Sequence, residues 1–213
     1  MALISNAKGR KKEETASAYE RLFGNRELGM LISKVHSAVI SSGTELEKFL
    51  ASKLPENTDI AIAKINKKER VFKDAKRDST GKRHKIEIDC IIKTKDKLML
   101  IEIKDGDTFD TKKVAGEVGS LNFARDYISK LMRIPKNKID MYYCSFNAIS
   151  HKQIEVGAKG LLGDCKAMTG KELCELLELD FDKIVQERKS QQKENFNYFV
   201  EELKKIPEIK DKF

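Results

Sequence analysis

Residues 85–106 read KIEIDCIIKTKDKLMLIEIKDG, two isoleucine-rich runs with charges set inside them. β-Branched runs on either side of Lys95-Asp96-Lys97 predict two strands joined as a hairpin. Side chains alternate across a strand, so Glu102 and Lys104 leave the second one on the face of Leu98 and Leu100, about 6.6 Å apart. Met99, Ile101 and Ile103 take its other face. In the first strand Ile86, Ile88, Cys90 and Ile92 share one face, and Glu87, Asp89 and Ile91 the opposite one. Pairing about Lys95-Asp96 then brings Asp89 opposite or next to Glu102, with an ammonium one step along.

Such a cluster is costly. Neighbouring carboxylates raise one another's pKa, and each loses hydration in a half-buried sheet. An ordinary cross-strand ion pair on a wet sheet face is the competing account. Against it, Asp89 runs straight into Cys90-Ile91-Ile92 and Glu102 follows Leu98-Met99-Leu100-Ile101, so the charges end strands that read as buried on both faces. A divalent cation resolves the repulsion. Mg²⁺ prefers oxygen ligands and keeps several waters, so two carboxylates and a backbone carbonyl suffice when a phosphate adds another oxygen. Lys104 beside them would position or deprotonate a water, or neutralise charge developing on the phosphate.

Outward from this hairpin, Lys11 to about Phe23 predicts a short helix ending at Gly24. Leu28, Leu31, Ile32, Val35, Val39 and Ile40, then Leu46, Phe49, Leu50 and Leu54 after Gly43, predict two helices or one with a kink, stopped by Pro55. TDIAIAKI (58–65) reads as a first strand, and residues 66–85 as an exposed basic excursion. Val114, Val118, Leu121, Ala124, Ile128 and Leu131 mark a long amphipathic helix ending before Pro135. IDMYYCSF (139–146) and CKAMTG (165–170) are further strands. Thr169-Gly170-Lys171-Glu172 has capping-box form, and a long charged helix runs from Asp180 to about Ile206.

A chain of 213 residues, 40% hydrophobic and 36% charged, is sized for one domain over residues 1–213, with a core at about 30–146 and a helical part at about 150–213. Its net charge of +8 favours a polyanionic partner. No apolar run approaches the ~18 residues of a membrane helix, and MALISNAKGRKK lacks the apolar block of a secretion signal, so the cytoplasm is the expected compartment and no membrane partner is expected. Cys90, Cys144, Cys165 and Cys174 form no CxxC pair and read as reduced, mostly buried thiols.

Asp89 followed by Glu102-Ile103-Lys104 resembles the PD-(D/E)xK nuclease superfamily, with Ile88 in place of the proline of the name. The helix-strand-strand-strand-helix-strand order from about residue 30 to 146 is similar too. The likeness is strongest to Type II restriction endonucleases. It implies an α/β fold with a restriction-endonuclease-like core, a central mixed β-sheet flanked by helices, and extra C-terminal helices. It also implies a homodimer that hydrolyses both strands of double-stranded DNA at a short specific sequence. Mg²⁺, with Mn²⁺ able to substitute, would sit on Asp89, Glu102 and the Ile103 carbonyl. The superfamily's acidic residue from the first core helix would be Glu45, although Ser42-x-x-Glu45 and Thr44-x-x-Glu47 also have the form of helix caps.

Lys67, Lys68, Arg70, Lys73, Lys76, Arg77, Lys82 and Arg83 crowd the excursion before Asp89 and are candidate DNA contacts, as are Lys112 and Lys113 at a helix start. Two rival readings are a structure-selective resolvase or repair nuclease of the same superfamily, and a basic DNA-binding module without catalysis. Cleavage of a four-way junction over plain duplex distinguishes the first. Intact plasmid under every condition distinguishes the second.

Overall fold

At Thr94–Lys97 the chain reverses on itself: the Thr94 amide and hydroxyl both donate to the Lys97 carbonyl, and the Lys97 amide donates back to the hydroxyl. The strands it joins are β4 (Cys90–Lys93) and β5 (Leu98–Lys104), antiparallel with Cys90 facing Ile101. The computed structural model describes residues 2–9, 17–55, 57–77, 83–106 and 110–210, with backbone alone for 74–77 and 83–84. Lys82, and Lys11 to Ala16 of the first expected helix, lie outside the described residues.

Two compact units result, Met1–Leu46 with Asp182–Phe213, and Glu47–Phe181. The second holds a mixed five-stranded sheet in the order β1-β4-β5-β6-β7, where β1 is Ile60–Ile62, β6 Ile139–Ser145 and β7 Lys166–Thr169. The β1–β4 and β4–β5 pairs are antiparallel; β5–β6 and β6–β7 are parallel. A parallel neighbour requires a crossover, and the helix Thr111–Met132 supplies the one between β5 and β6. Its buried stripe of Val114, Val118, Leu121, Ala124 and Ile128 packs with Leu98, Leu100, Ile139 and Met141. The expected fold class is the observed one.

Other helices follow their end signals. We number them α1 (Ala18–Phe23), α2 (Arg26–Ser52), α3 (Thr111–Met132), α4 (His151–Gly157), α5 (Gly170–Leu176), α6 (Phe181–Lys204) and α7 (Pro207–Lys210). Asp110 caps α3 by accepting from the Lys112 amide, and the Thr169–Glu172 capping box opens α5 as expected. A Cβ at Gly170 would lie 2.2 Å from the Phe146 carbonyl oxygen, so only glycine lets this helix start against the end of β6. The C-terminal helical part divides between the units, α4 and α5 with the sheet, α6 and α7 with the N-terminal segment. There Asn195 of α6 accepts from the Ile4 amide and donates to the Ala2 carbonyl, seating Ala2 and Ile4 beside Ala38, Tyr198 and Phe199.

Three expectations are narrowed or corrected. First, of the two helices or one expected, α2 is the single helix and runs on through Gly43, so Ser42-x-x-Glu45 and Thr44-x-x-Glu47 lie inside it and not at a helix start. Second, the basic excursion is a 3-10 turn (Lys67–Arg70) followed by a two-stranded antiparallel ribbon, β2 (Val71–Arg77) and β3 (Arg83–Glu87). Phe72 and Ile86 face each other within it and are buried, which gives the ribbon its apolar side. Third, the run Ile86–Ile92 is two strands, because the chain leaves the ribbon for the main sheet at Ile88-Asp89. All four cysteines are free and buried, and no described helix is long and apolar enough to cross a membrane.

Candidate active site

Asp89 occupies the junction where β3 has ended and β4 has not begun. With Cys90 opposite Ile101, the next position along places Asp89 beside Glu102. Its Oδ2 accepts from the Ile103 amide at 2.8 Å, so the side chain stands in as a ladder acceptor past the end of β4. Glu102, 7% exposed, and Lys104 follow on the sheet face covered by α3. The Lys104 ammonium bonds Glu102 Oε1 at 2.6 Å and Glu117 Oε1 at 2.8 Å. The hairpin geometry expected of Asp89, Glu102 and Lys104 is thus present.

The electrostatics are those of crowded, dehydrated acids. Burial, then the Asp89 charge, pushes Glu102 up to about 8. Burial also raises Asp89, against the Ile103 amide and the Lys104 charge, which favour its ionised form. For Lys104 burial works downward, but the Glu102 charge and the hydrogen bonds to Glu102 and Glu117 outweigh it, and its pKa is raised. Lys104 is therefore a held ammonium.

A further carboxyl reaches this field from α2, and it is Glu47. Burial, then the Asp89 charge, pushes Glu47 up to about 7. Successive helical residues turn by about 100°, so Glu45 leaves the helix on roughly the opposite side. The helix carboxylate next to the strand acids is therefore two residues later than expected. Glu117 on α3 is an addition the sequence reading missed; its only signal was an acid bordering the Val114-Val118-Leu121 stripe.

Arg70 is also corrected. Expected among the DNA contacts, it is 2% exposed and turned inward. Its Nη1 donates to the carbonyls of Ile88 (2.7 Å) and Asp89 (3.1 Å); Nη2 donates to Glu87 Oε1 (3.1 Å) and to the Ala63 carbonyl. The guanidinium thus clamps the junction that carries Asp89, and its charge favours ionised Asp89 and Glu47. Lys67, Lys68, Lys73, Lys112 and Lys113 are exposed, as a surface role requires. Of Lys76, Arg77 and Arg83 only the backbone is described.

Over 228 aligned positions, covering 99% of this chain and 97% of its relative, the sequence is 37% identical to the Type II restriction enzyme HhaII of Haemophilus parahaemolyticus. The chain belongs to the Type II restriction enzymes. No family model and no solved structure matches it. Membership makes this Type II restriction enzyme a site-specific deoxyribonuclease, which sets aside the non-catalytic module.

A cation suits the charges at this restriction enzyme's site. Asp89, Glu102, Glu47 and Glu117 are set against Lys104 and Arg70, an excess of negative charge in a partly dehydrated space. Among the described residues no three His, Cys, Asp or Glu side chains could hold a metal ion by themselves. A hydrated Mg²⁺ needs fewer, since waters and a substrate phosphate fill its other positions.

Stability should report this strain. Glu102 and Glu47 titrate near 8 and 7 in the fold against 4.5 ordinarily, so between these values the native state binds more protons than the unfolded chain. Stability then falls as pH rises from about 4.5, through 7 for Glu47 and 8 for Glu102, by up to ~1.4 kcal/mol per pH unit for the buried Glu102 and by less for the more exposed, solvent-screened Glu47. Thermal unfolding in chelator should give a lower Tm at pH 8.5 than at pH 6, and Mn²⁺ should raise Tm more at the higher pH. A Tm that climbs across this range in chelator would contradict the assignment.

Proposed function

We propose that this chain is a Mg²⁺-dependent endonuclease that hydrolyses both strands of double-stranded DNA at a short specific sequence. The observation that carries the reading is the meeting of Asp89, Glu102 and Lys104 at the sheet end, in a chain related throughout to a Type II restriction enzyme. Asp89, Glu102 and the Ile103 carbonyl would hold Mg²⁺ or Mn²⁺. When bound, such a cation supplies Lewis-acid charge to the scissile phosphate and makes water more acidic.

The chain's own groups do the rest. The Lys104 ammonium offsets charge on the phosphate as the attacking oxygen adds. Glu47, raised to about 7, takes the part foreseen for Glu45, a carboxyl able to hold a water and accept its proton near neutral pH. Lys67, Lys68, Lys73, Lys112 and Lys113 would meet backbone phosphates and set the enzyme on the duplex. A homodimer fits the task, because two strands of opposite direction are matched by two active sites related by a two-fold axis. The free, buried cysteines suit the reducing cytoplasm.

Incubating the full chain with plasmid and Mg²⁺ tests this. Discrete fragments that vanish with chelator and return with Mn²⁺ are expected. A smear would remove sequence specificity, and preferential cutting of four-way junctions would favour the resolvase reading.

A further inference from the structure

Glu117 belongs to no part of the cation set just described, yet both of its oxygens are engaged. Oε1 takes the Lys104 ammonium at 2.8 Å, and Oε2 takes the Tyr143 hydroxyl at 3.0 Å. Tyr143 is 2% exposed and lies on β6 directly beside Glu102, its register partner across the parallel ladder. A chain of contacts therefore runs from β6 through α3 to β5: Tyr143, Glu117, Lys104, Glu102. A half-buried glutamate at the border of an apolar helix stripe is costly unless fully paired, and here it is.

The two carboxylates on Lys104 are not equivalent. Glu102 is adjacent to Asp89 and is the oxygen donor that a cation would claim. Glu117 comes from another element and is fixed from behind by a buried phenol. We propose that Glu117, held by Tyr143, is the positioning residue that aims the Lys104 ammonium when Glu102 is engaged elsewhere. The proposal rests on the nuclease reading of the site. It gives the Tyr143 hydroxyl a purpose that packing α3 on the sheet alone would not need, since Val118 and Leu121 already do that.

The test compares Glu117→Gln and Tyr143→Phe with the wild type and with Asp89→Ala and Lys104→Ala. Three quantities are followed: single-turnover cleavage of plasmid in Mg²⁺, plasmid binding in Ca²⁺, and Mn²⁺ binding read by electron paramagnetic resonance. Glu117→Gln should slow the cleavage step ~10–100-fold and Tyr143→Phe a few-fold, with plasmid and Mn²⁺ affinities within about two-fold of wild type. A merely structural role would not separate rate from binding in this way. In crystals soaked with Mn²⁺ the wild-type Lys104 should stay within hydrogen-bond reach of Glu117.

Wild-type cleavage by Glu117→Gln, weakened Mn²⁺ binding by it, or Lys104 leaving Glu117 in those crystals overturns the inference. If Glu117→Gln does not fold, Tyr143→Phe decides by the same criteria. Inactive Asp89→Ala and Lys104→Ala with fully active Glu117→Gln defeats this inference alone. Full activity in Asp89→Ala and Lys104→Ala defeats the nuclease reading beneath it.

Discussion

Lys104→Ala is expected to cleave DNA at least ~10³-fold more slowly than the wild type under single turnover, while binding plasmid in Ca²⁺ within a few-fold of normal. The ammonium is paired with two carboxylates in a partly dehydrated pocket, where a fixed positive charge acts on a developing negative one more strongly than in water. Removing a single preorganised stabiliser of this kind costs ~10²–10³ in rate, and here the same change leaves Glu102 and Glu117 without their shared cation. Asp89→Ala should fall as far for a different reason. It removes an acid from the proposed cation set, so its Mn²⁺ affinity falls as well, whereas Lys104→Ala should retain Mn²⁺. A Lys104→Ala rate within ten-fold of wild type would move the chemistry away from this corner of the sheet.

The part of the site that could be read from sequence is the part that local periodicity dictates. Strand alternation puts Glu102 and Lys104 on one face, and a tight turn at Lys95-Asp96 sets the register that brings Asp89 alongside. Other members were out of reach for physical reasons. Glu47 depends on how a 27-residue helix is turned toward the sheet, which the apolar pattern of the helix alone does not give. Glu117 is 26 residues from Tyr143 and 13 from Lys104, so only the α3 crossover shows that they meet. The ribbon of β2 and β3 was hidden because much of its sequence is Lys and Arg, with Phe72 and Ile86 as its described buried side chains. Arg70 shows the same limit most plainly. A basic residue in a basic run looks like surface, and its burial is decided by carbonyls at residues 63, 88 and 89 that only the folded chain brings together.

Arg70 and its neighbours should therefore part company on substitution. Arg70→Ala is expected to destabilise the fold by about 3–5 kcal/mol, because the Ala63, Ile88 and Asp89 carbonyls and the Glu87 carboxylate lose a common donor in a buried position. Against a typical total of about 5–15 kcal/mol that is a large share, measurable as a lowered urea midpoint at unchanged slope. Arg70→Lys should recover little, since a single ammonium cannot reproduce the planar fork that reaches the end of β3, the Ile88-Asp89 junction and the turn at Ala63. Lys68→Ala and Lys73→Ala, both exposed, should stay within about 0.5 kcal/mol of wild type in stability. Each should instead weaken DNA binding and reduce by about one the steepness with which affinity falls on a logarithmic salt scale. The opposite pattern, a stable Arg70→Ala that loses salt-dependent affinity, would return Arg70 to the phosphate-binding surface and leave the Asp89 junction without its clamp.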